Sequence, residues 1–370
     1  MEAGLNHIFQ EDDPVQNNFD QQQPNIKYPG PVAAGLFFSL TAVLLTYGGS
    51  LLPFKNTFLK SGIGEVCFVL LPVLIFLKAG GYNIKDTLKL KKTRPLNYLI
   101  LVFLMIFAMP VVGVLNAVVL GIIRLVFGKN LPVPQIPIDS IPALFAALLV
   151  IGLSAAVCEE TMFRGLVSKG YEKMGVPASL VLTSVLFGIL HRDIQKAVST
   201  ILLGALIGFI VYRTKSIYAG MAAHFTNNAA AVLISYGASR MAGKMKELGV
   251  EQVENFDFSK IPPMSLAVVV VFYAFLFAGC LAIFTALFYA FMRSTRSETP
   301  VLPYGTEAGG ISGSGVAQAG NAANTFGKAG ILSAAPGVLL IFLIFTGQFL
   351  QLMNVGSGPV VEVLKAIGVM

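Results

Sequence analysis

Three short stretches hold the side chains that could do chemistry. In "SAAVCEETMFRG" (154–165), Glu159 and Glu160 are adjacent and Arg164 follows one helical turn after Glu160. In "FGILH", Phe187 precedes His191 by four residues, and in "HFTNN", His224 precedes Asn228 by four. Glu160 and Arg164 share a helix face and can pair. Glu159 points about 100° away around the helix and meets no local cation. A partly desolvated carboxylate without a partner tends to a raised pKa, which suits a general base. His224 and Asn228 can both donate to one oxygen, the form of an oxyanion hole built from side chains. A plainer reading stands beside each. Glu160 and Arg164 can simply neutralise each other and tie helices together. His191 alone on an apolar helix can be a satisfied packing residue. The chain has 3 histidines, and the third, His7, lies in a polar N-terminal stretch.

The elements that must position these groups are apolar. Of 370 residues, 55% are hydrophobic and 12% charged, with a mean hydropathy of +0.75. A soluble domain carries about a quarter charged residues. The deficit and the long apolar runs predict an all-α, polytopic transmembrane bundle of about eight or nine spans, with the three chemistry-bearing stretches in a four-helix core. Nine runs qualify: 31–53, 62–77, 96–127, 141–163, 177–191, 198–212, 216–236, 264–292 and 331–353. Pro110 is expected to kink the third. The sequence divides into a disordered cytosolic tail (1–30), N-terminal spans (31–138), a catalytic core (139–236), an extracytoplasmic loop (237–263) and C-terminal spans (264–370). The last contains a flexible Gly-rich loop at 300–330. That loop has no P-loop pattern.

The net charge of +7 resides mainly in loops, so it reads as membrane topology rather than nucleic-acid binding. The loop "KDTLKLKKTR" dominates and puts the N-terminus in the cytosol. The site cavity is then expected to open to the cytosol. No basic n-region precedes the first apolar run, so no cleavable signal is expected. The 3 cysteines, Cys67, Cys158 and Cys280, show no ligand or disulfide spacing and read as small buried residues. Gly204 and Gly208 form a GxxxG pattern that serves close helix packing. Ionisable groups at membrane depth are costly and mark function or firm pairing. The informative set is therefore Glu159, Glu160, Arg164, His191, His224 and Asn228.

Taken together, "EETMFR", "FGILH" and "HFTNN", in order on consecutive apolar spans, resemble the CPBP family of intramembrane proteases. This family includes the CAAX prenyl endopeptidases and the bacteriocin-processing Abi proteins. The resemblance covers roughly 140–236. It implies that Glu159 and His191 hold and activate a water for attack on a peptide carbonyl. It also implies that His224 and Asn228 stabilise the oxyanion, that Glu160 and Arg164 support the site and that Phe187 shapes it. The family is viewed as metal-independent, so no cofactor is expected. The alternative is a zinc ion held by Glu159, His191 and His224, a His₂Glu set, although no HExxH is present. The partners implied are a peptide or membrane-protein substrate and membrane lipid, in a bacterial plasma membrane, without nucleic acid. Two other readings remain in view: a catalytically silent immunity or partner protein, and a proton-coupled transporter, which would usually show internal repeats.

Overall fold

The computed structural model describes residues 27–132, 138–248, 262–297 and 313–370. The polar tail up to residue 26, His7 included, lies outside them. Among the described residues the chain is helical and holds no strand. The main helices are α1 (Pro31–Leu51), α2 (Thr57–Ala79), α3 (Pro95–Phe127), α4 (Ile141–Met174), α5 (Val176–Leu190), α6 (Ala197–Thr214), α7 (Ile217–Glu247), α8 (Pro263–Ser294) and α9 (Gly313–Leu352), followed by a short α10 (Pro359–Ala366). Each of the nine apolar runs lies in one of α1–α9. Helices are the natural choice here, because lipid offers no partner for backbone N–H and C=O groups. Proline at or next to the first position starts α1, α3, α5 and α8, where its missing N–H costs nothing. Asn56 caps α2 by accepting from the Leu59 amide at 3.0 Å.

Among the described residues, seven stretches are long and apolar enough to cross a membrane: α1, α2, α3, α4, α6, α8 and residues 327–352 of α9. The protein is an integral membrane protein. The other two helices are the ones that carry histidines. Helix α5 has 15 residues, about 22 Å, and is too short to span about 30 Å of hydrocarbon. Helix α7 has 31 residues but a polar middle, "HFTNN". Both are helices that neighbours must shelter.

Two clusters form the core. One joins α1, α2, α4, α5 and α9 through Phe38, Leu77, Phe163, Leu166 and Phe187. The other joins α3, α6, α7 and α8 through Leu101, Met105, Ile207, Ile210 and Phe291. Helices α5 and α6 approach closely because glycine lies at their crossing. A Cβ on Gly188 would come within 2.7 Å of the Ile201 amide nitrogen, and one on Gly204 within 2.9 Å of the Phe187 ring. Gly204 and Gly208 thus serve packing, as their spacing suggests.

Hydrogen bonds mark the two ends of the bundle. At the lysine-rich end, the turn between α2 and α3 meets the ends of α4 and α6: Lys89 Nζ donates to Arg164 O at 3.0 Å and the Ile217 amide to Lys89 O at 3.1 Å. At the opposite end, the turn between α5 and α6 meets the segments after α3 and within α9. Gln195 exchanges hydrogen bonds with the Leu131 backbone, and Gln348 donates to Arg192 O at 2.7 Å.

Three boundaries and one burial expectation need correction. Residues 237–247, assigned to an external loop, continue α7; the "SRMAGKMKE" run is rich in good helix formers. Residues 313–330, assigned to a flexible loop, lie in α9, although their glycines are as many as their alanines and propensity alone does not favour a helix there. Residues 249–261 and 298–312, which cover the rest of those two loops, lie outside the described residues. The core segment 139–236 does not stop at a helix end, since α7 runs on to Glu247. Of the three cysteines, Cys158 is buried but Cys67 is exposed and Cys280 half-exposed. Apolar side chains on a membrane helix can face lipid.

Candidate active site

Helix α4 carries the acids, and it is not a regular helix there. Residues Ala155–Glu160 are α-helical between two wider π-helical segments, Leu148–Ser154 and Thr161–Val167. Such turns insert a residue into the helix, re-aim side chains and recur at functional sites. Glu160 is fully buried. Its Oε2 lies 3.3 Å from Arg164 Nε, the i,i+4 pair expected, though the angle falls short of a hydrogen bond. Its Oε1 lies 3.0 Å from His224 Nδ1. One carboxylate therefore joins its own helix to α7. A lone buried charge would be costly, and this carboxylate has a guanidinium on one side and an imidazole on the other. Arg164 also donates from Nη2 to Gly204 O at 3.0 Å, and its guanidinium stacks 4.4 Å from the Phe187 ring centre.

Phe187 is the hub of the site. Its ring touches Phe163, His191 and His224 edge-on, at centroid distances of 5.2, 5.0 and 5.8 Å. His191 caps α5. Its Nδ1 lies 2.9 Å from Phe187 O, a geometry in which Nδ1–H donates and Nε2 keeps its lone pair. His191 is exposed at the end of α5 away from the lysine-rich turns. His224 is buried, with Nδ1 committed to Glu160 and Nε2 4.0 Å from Glu159 Oε2. That Glu159 oxygen is itself buried and without a hydrogen-bond partner.

The structure thus brings Glu159, Glu160, Arg164, Phe187 and His224 into one contact network, with His191 joined through Phe187. No hydrogen bond or ion pair among the described residues links His191 to Glu159 directly. Asn228 is placed differently from the expected pair with His224. Its Nδ2 donates to Ile151 O at 2.8 Å, a carbonyl inside the first π segment of α4, and its Oδ1 accepts from Asn227 at 3.1 Å. Asn228 ties α7 to α4 and keeps one N–H in hand.

Two charged residues were passed over in the sequence. Glu65 opens a π segment in α2, Glu65–Leu70, which packs on the Glu159 segment of α4. It lies within electrostatic reach of both Glu159 and Arg192, and its Oε2 is buried without a hydrogen bond. Arg192 follows His191 with φ of 56°, donates to Leu45 O at 2.8 Å and has a buried Nε without a partner. The available signal was a lone acid inside an apolar run, "GIGEVCFVLLP".

The expected route to the site from the N-terminal side also needs revision. There a crevice of about 20 Å³ runs between α4, α5 and α6, lined by Ser168, Thr183, Ser184 and Gly204, and reaches Arg164. That is room for about one water, and the site residue it reaches is Arg164, not Glu159. The exposed catalytic-type group, His191, is at the other end. The zinc alternative fits poorly too: among the described residues no three His, Cys, Asp or Glu side chains gather as a ligand set.

Residues 141–230, the segment that carries Glu159, Glu160, Arg164, Phe187, His191, His224 and Asn228, match the family model described as type II CAAX prenyl endopeptidase Rce1-like. This match, over 90 of the 370 residues, agrees with the resemblance of the segment to the CPBP family. The chain is also similar to "Putative membrane peptidase YdiL" of Bacillus subtilis (strain 168), with 27% identity over 133 residues. That alignment covers 36% of this chain and 52% of the relative, so the chain spans about half the length of the curated relative it matches. No solved structure matches the chain. The family match begins with α4 and ends within α7, so α1–α3 and α8–α10 lie outside the matched segment.

Proposed function

We propose that this protein is an intramembrane endopeptidase that hydrolyses a peptide bond of a membrane-associated protein or peptide with a water activated by Glu159. The observation that carries the reading is the gap between Glu159 Oε2 and His224 Nε2. At 4.0 Å it admits one water within about 2.8 Å of both atoms. Glu160 fixes the His224 tautomer from behind, so Nε2 faces the water. In the reaction Glu159 takes a proton from the water as its oxygen attacks the carbonyl carbon. The proton then passes to the leaving amine as the C–N bond breaks. His191 offers Nε2 to the same space from α5 and helps hold the water. The free N–H of Asn228 serves the oxyanion once a substrate displaces the local packing, and His224 joins it when Nε2 carries a proton. Arg164 and Phe187 hold Glu160 and the two imidazoles in place.

The mechanism is of glutamic type and needs no metal. Glu160, Arg164 and Asn228 also brace the bundle, but Glu159 keeps a buried oxygen without a hydrogen-bond partner, from which a silent immunity protein would gain nothing. By the positive-inside rule the lysine-rich turns support a cytosolic face for that end of the bundle, in a bacterial plasma membrane. The exposed His191 then faces the opposite side. Substrates would be leader peptides or small membrane proteins approached from that side, and prenylated chains are one class among them.

Peptide analysis of membranes containing wild type or Glu159→Gln tests the reading. Wild type should yield fragments that the variant lacks, with the variant equally inserted and folded. Fragments produced equally by the variant would overturn it. Activity that disappears with chelator together with a stoichiometric metal would replace the metal-free mechanism. Labelling of cysteines placed at 193 and 91 from either side of the membrane tests the orientation.

A further inference from the structure

The strongest feature outside the site is a basin at the lysine-rich end, with a volume near 740 Å³. Lys85, Lys89, Lys91 and Lys92 from the turn between α2 and α3 line it, with Lys169 from the end of α4 and Lys215 from the turn before α7. Asp86 and Glu172 are its acids. Both are already engaged. Glu172 sits 3.2 Å from Lys89 Nζ and 3.0 Å from Lys169 Nζ. Asp86 accepts from Asn83 Nδ2 at 2.7 Å and from the Tyr28 hydroxyl at 3.5 Å. Lys85, Lys91 and Lys92 have no ion pair among the described residues.

The cations crowd one another. Burial, followed by the charges of Lys169 and Lys215, holds the Lys89 ammonium below its ordinary range, although Glu172 works against this. Burial, and then Lys169, does the same to Lys215. An anion placed in the basin would relieve this repulsion. The backbone is also bent to build it, since Lys89 and Lys215 both adopt positive φ, 53° and 51°. A side chain other than glycine adopts this conformation rarely, and here two of the lining lysines do so.

The basin's position says which anion. It lies between the end of α2 at Ala79 and the start of α3 at Pro95, two apolar spans, so it sits at a membrane surface. Lysine clusters beside membrane helices bind anionic headgroups. We propose that this basin binds a phosphate anion carried as the headgroup of an anionic phospholipid such as phosphatidylglycerol. The bound headgroup would brace the turn that already holds α4 through Arg164 O and α7 through the Ile217 amide.

The experiment uses the full chain in phosphatidylcholine nanodiscs, with or without phosphatidylglycerol, and with inorganic phosphate as a separate addition. Native mass spectrometry reads retained lipid, and far-UV circular dichroism reads Tm. Phosphatidylglycerol should raise Tm and remain bound. The triple variant Lys85→Gln, Lys91→Gln, Lys92→Gln should weaken its retention about 100-fold, at about tenfold or somewhat less per lysine. The matching lysine-to-arginine variant should retain it, which separates lost charge from lost fold. Three outcomes would overturn the proposal. Equal behaviour in the two lipids would leave the lysines as a topology signal only. Equal stabilisation by free phosphate would make the ligand a soluble ion. Equal loss on neutralising Lys55, Lys60 and Lys129 at the other end would reduce the effect to general surface charge.

Discussion

Helices α4 and α8 are nearly twins by hydropathy and opposites in use. Their most apolar windows average 2.5 and 2.7, and they run for 34 and 32 residues. None of the α8 window is buried by protein. Its side chains face outward, and it is fastened mainly near one end, where Arg213 donates to Met292 O at 2.7 Å and to Thr295 Oγ1 at 3.1 Å. Helix α4 is interrupted twice by π segments; between them it carries a fully buried carboxylate, and within the second a nearly buried guanidinium. Hydropathy decides that both enter the membrane. It does not separate the helix that anchors from the one that positions chemistry. Local irregularity and satisfied buried charge make that separation.

The sharpest way to break this contrast is at Glu159. Glu159→Gln should lower the cleavage rate by about 10³–10⁴-fold. Its Tm should stay within a degree or two of wild type, because the lost charge had no hydrogen bond to lose. A large drop in Tm would return Glu159 to the role of a structural group. Next in size is Arg164→Met, which strands Glu160 in the core. Removing one partner of a buried pair costs about 3–4 kcal/mol. The double variant with Glu160→Gln should recover part of that loss, and a chemical denaturation cycle reads the coupling. Additive losses would deny the pairing.

A steric test comes third. Gly188→Ala drives a Cβ into the Ile201 backbone, and overpacking of this kind costs about 2 kcal/mol. Because α5 carries Phe187 and His191, activity should fall together with Tm. Glu65→Gln follows. It removes the charge facing Glu159 and should change the cleavage rate about tenfold, with a displaced pH profile and little change in Tm. An unchanged pH profile would remove Glu65 from the site. The smallest effect belongs to α8. A Cβ on Gly279 meets nothing within 4 Å, so Gly279→Ala should stabilise by up to about 1 kcal/mol through helix propensity. A loss there would mean that α8 packs against something along its outer face.

Much of the site was legible in the sequence because its signals are local. An i,i+4 pair needs only helical spacing, so Glu160 and Arg164 could be joined from the letters alone. Rarity did the rest: a chain with two histidines in or beside apolar helices offers few candidates for proton chemistry. The nine helices were legible for the same reason, since lipid forces every apolar run of sufficient length into one element. What stayed hidden depended on partners far along the chain. That Glu160 also holds His224, 64 residues on, follows from the packing of α4 against α7. That Asn228 spends a donor on Ile151 depends on a carbonyl in the wide turn of a π segment, which no spacing rule announces. Glu65 looked like a stray acid until α2 was laid against α4.

The sequence by itself determined which residues can ionise, which runs must be helical and which end of the bundle carries the lysines. These depend on chemistry and on a repeat of about 3.6 residues. Tertiary structure alone decided which acid is paired and which is left open, and that the exposed His191 and the lysine basin lie at opposite ends. Those outcomes depend on distances of 3 to 4 Å between helices, where a single π turn redirects a side chain and a buried charge has no water to fall back on.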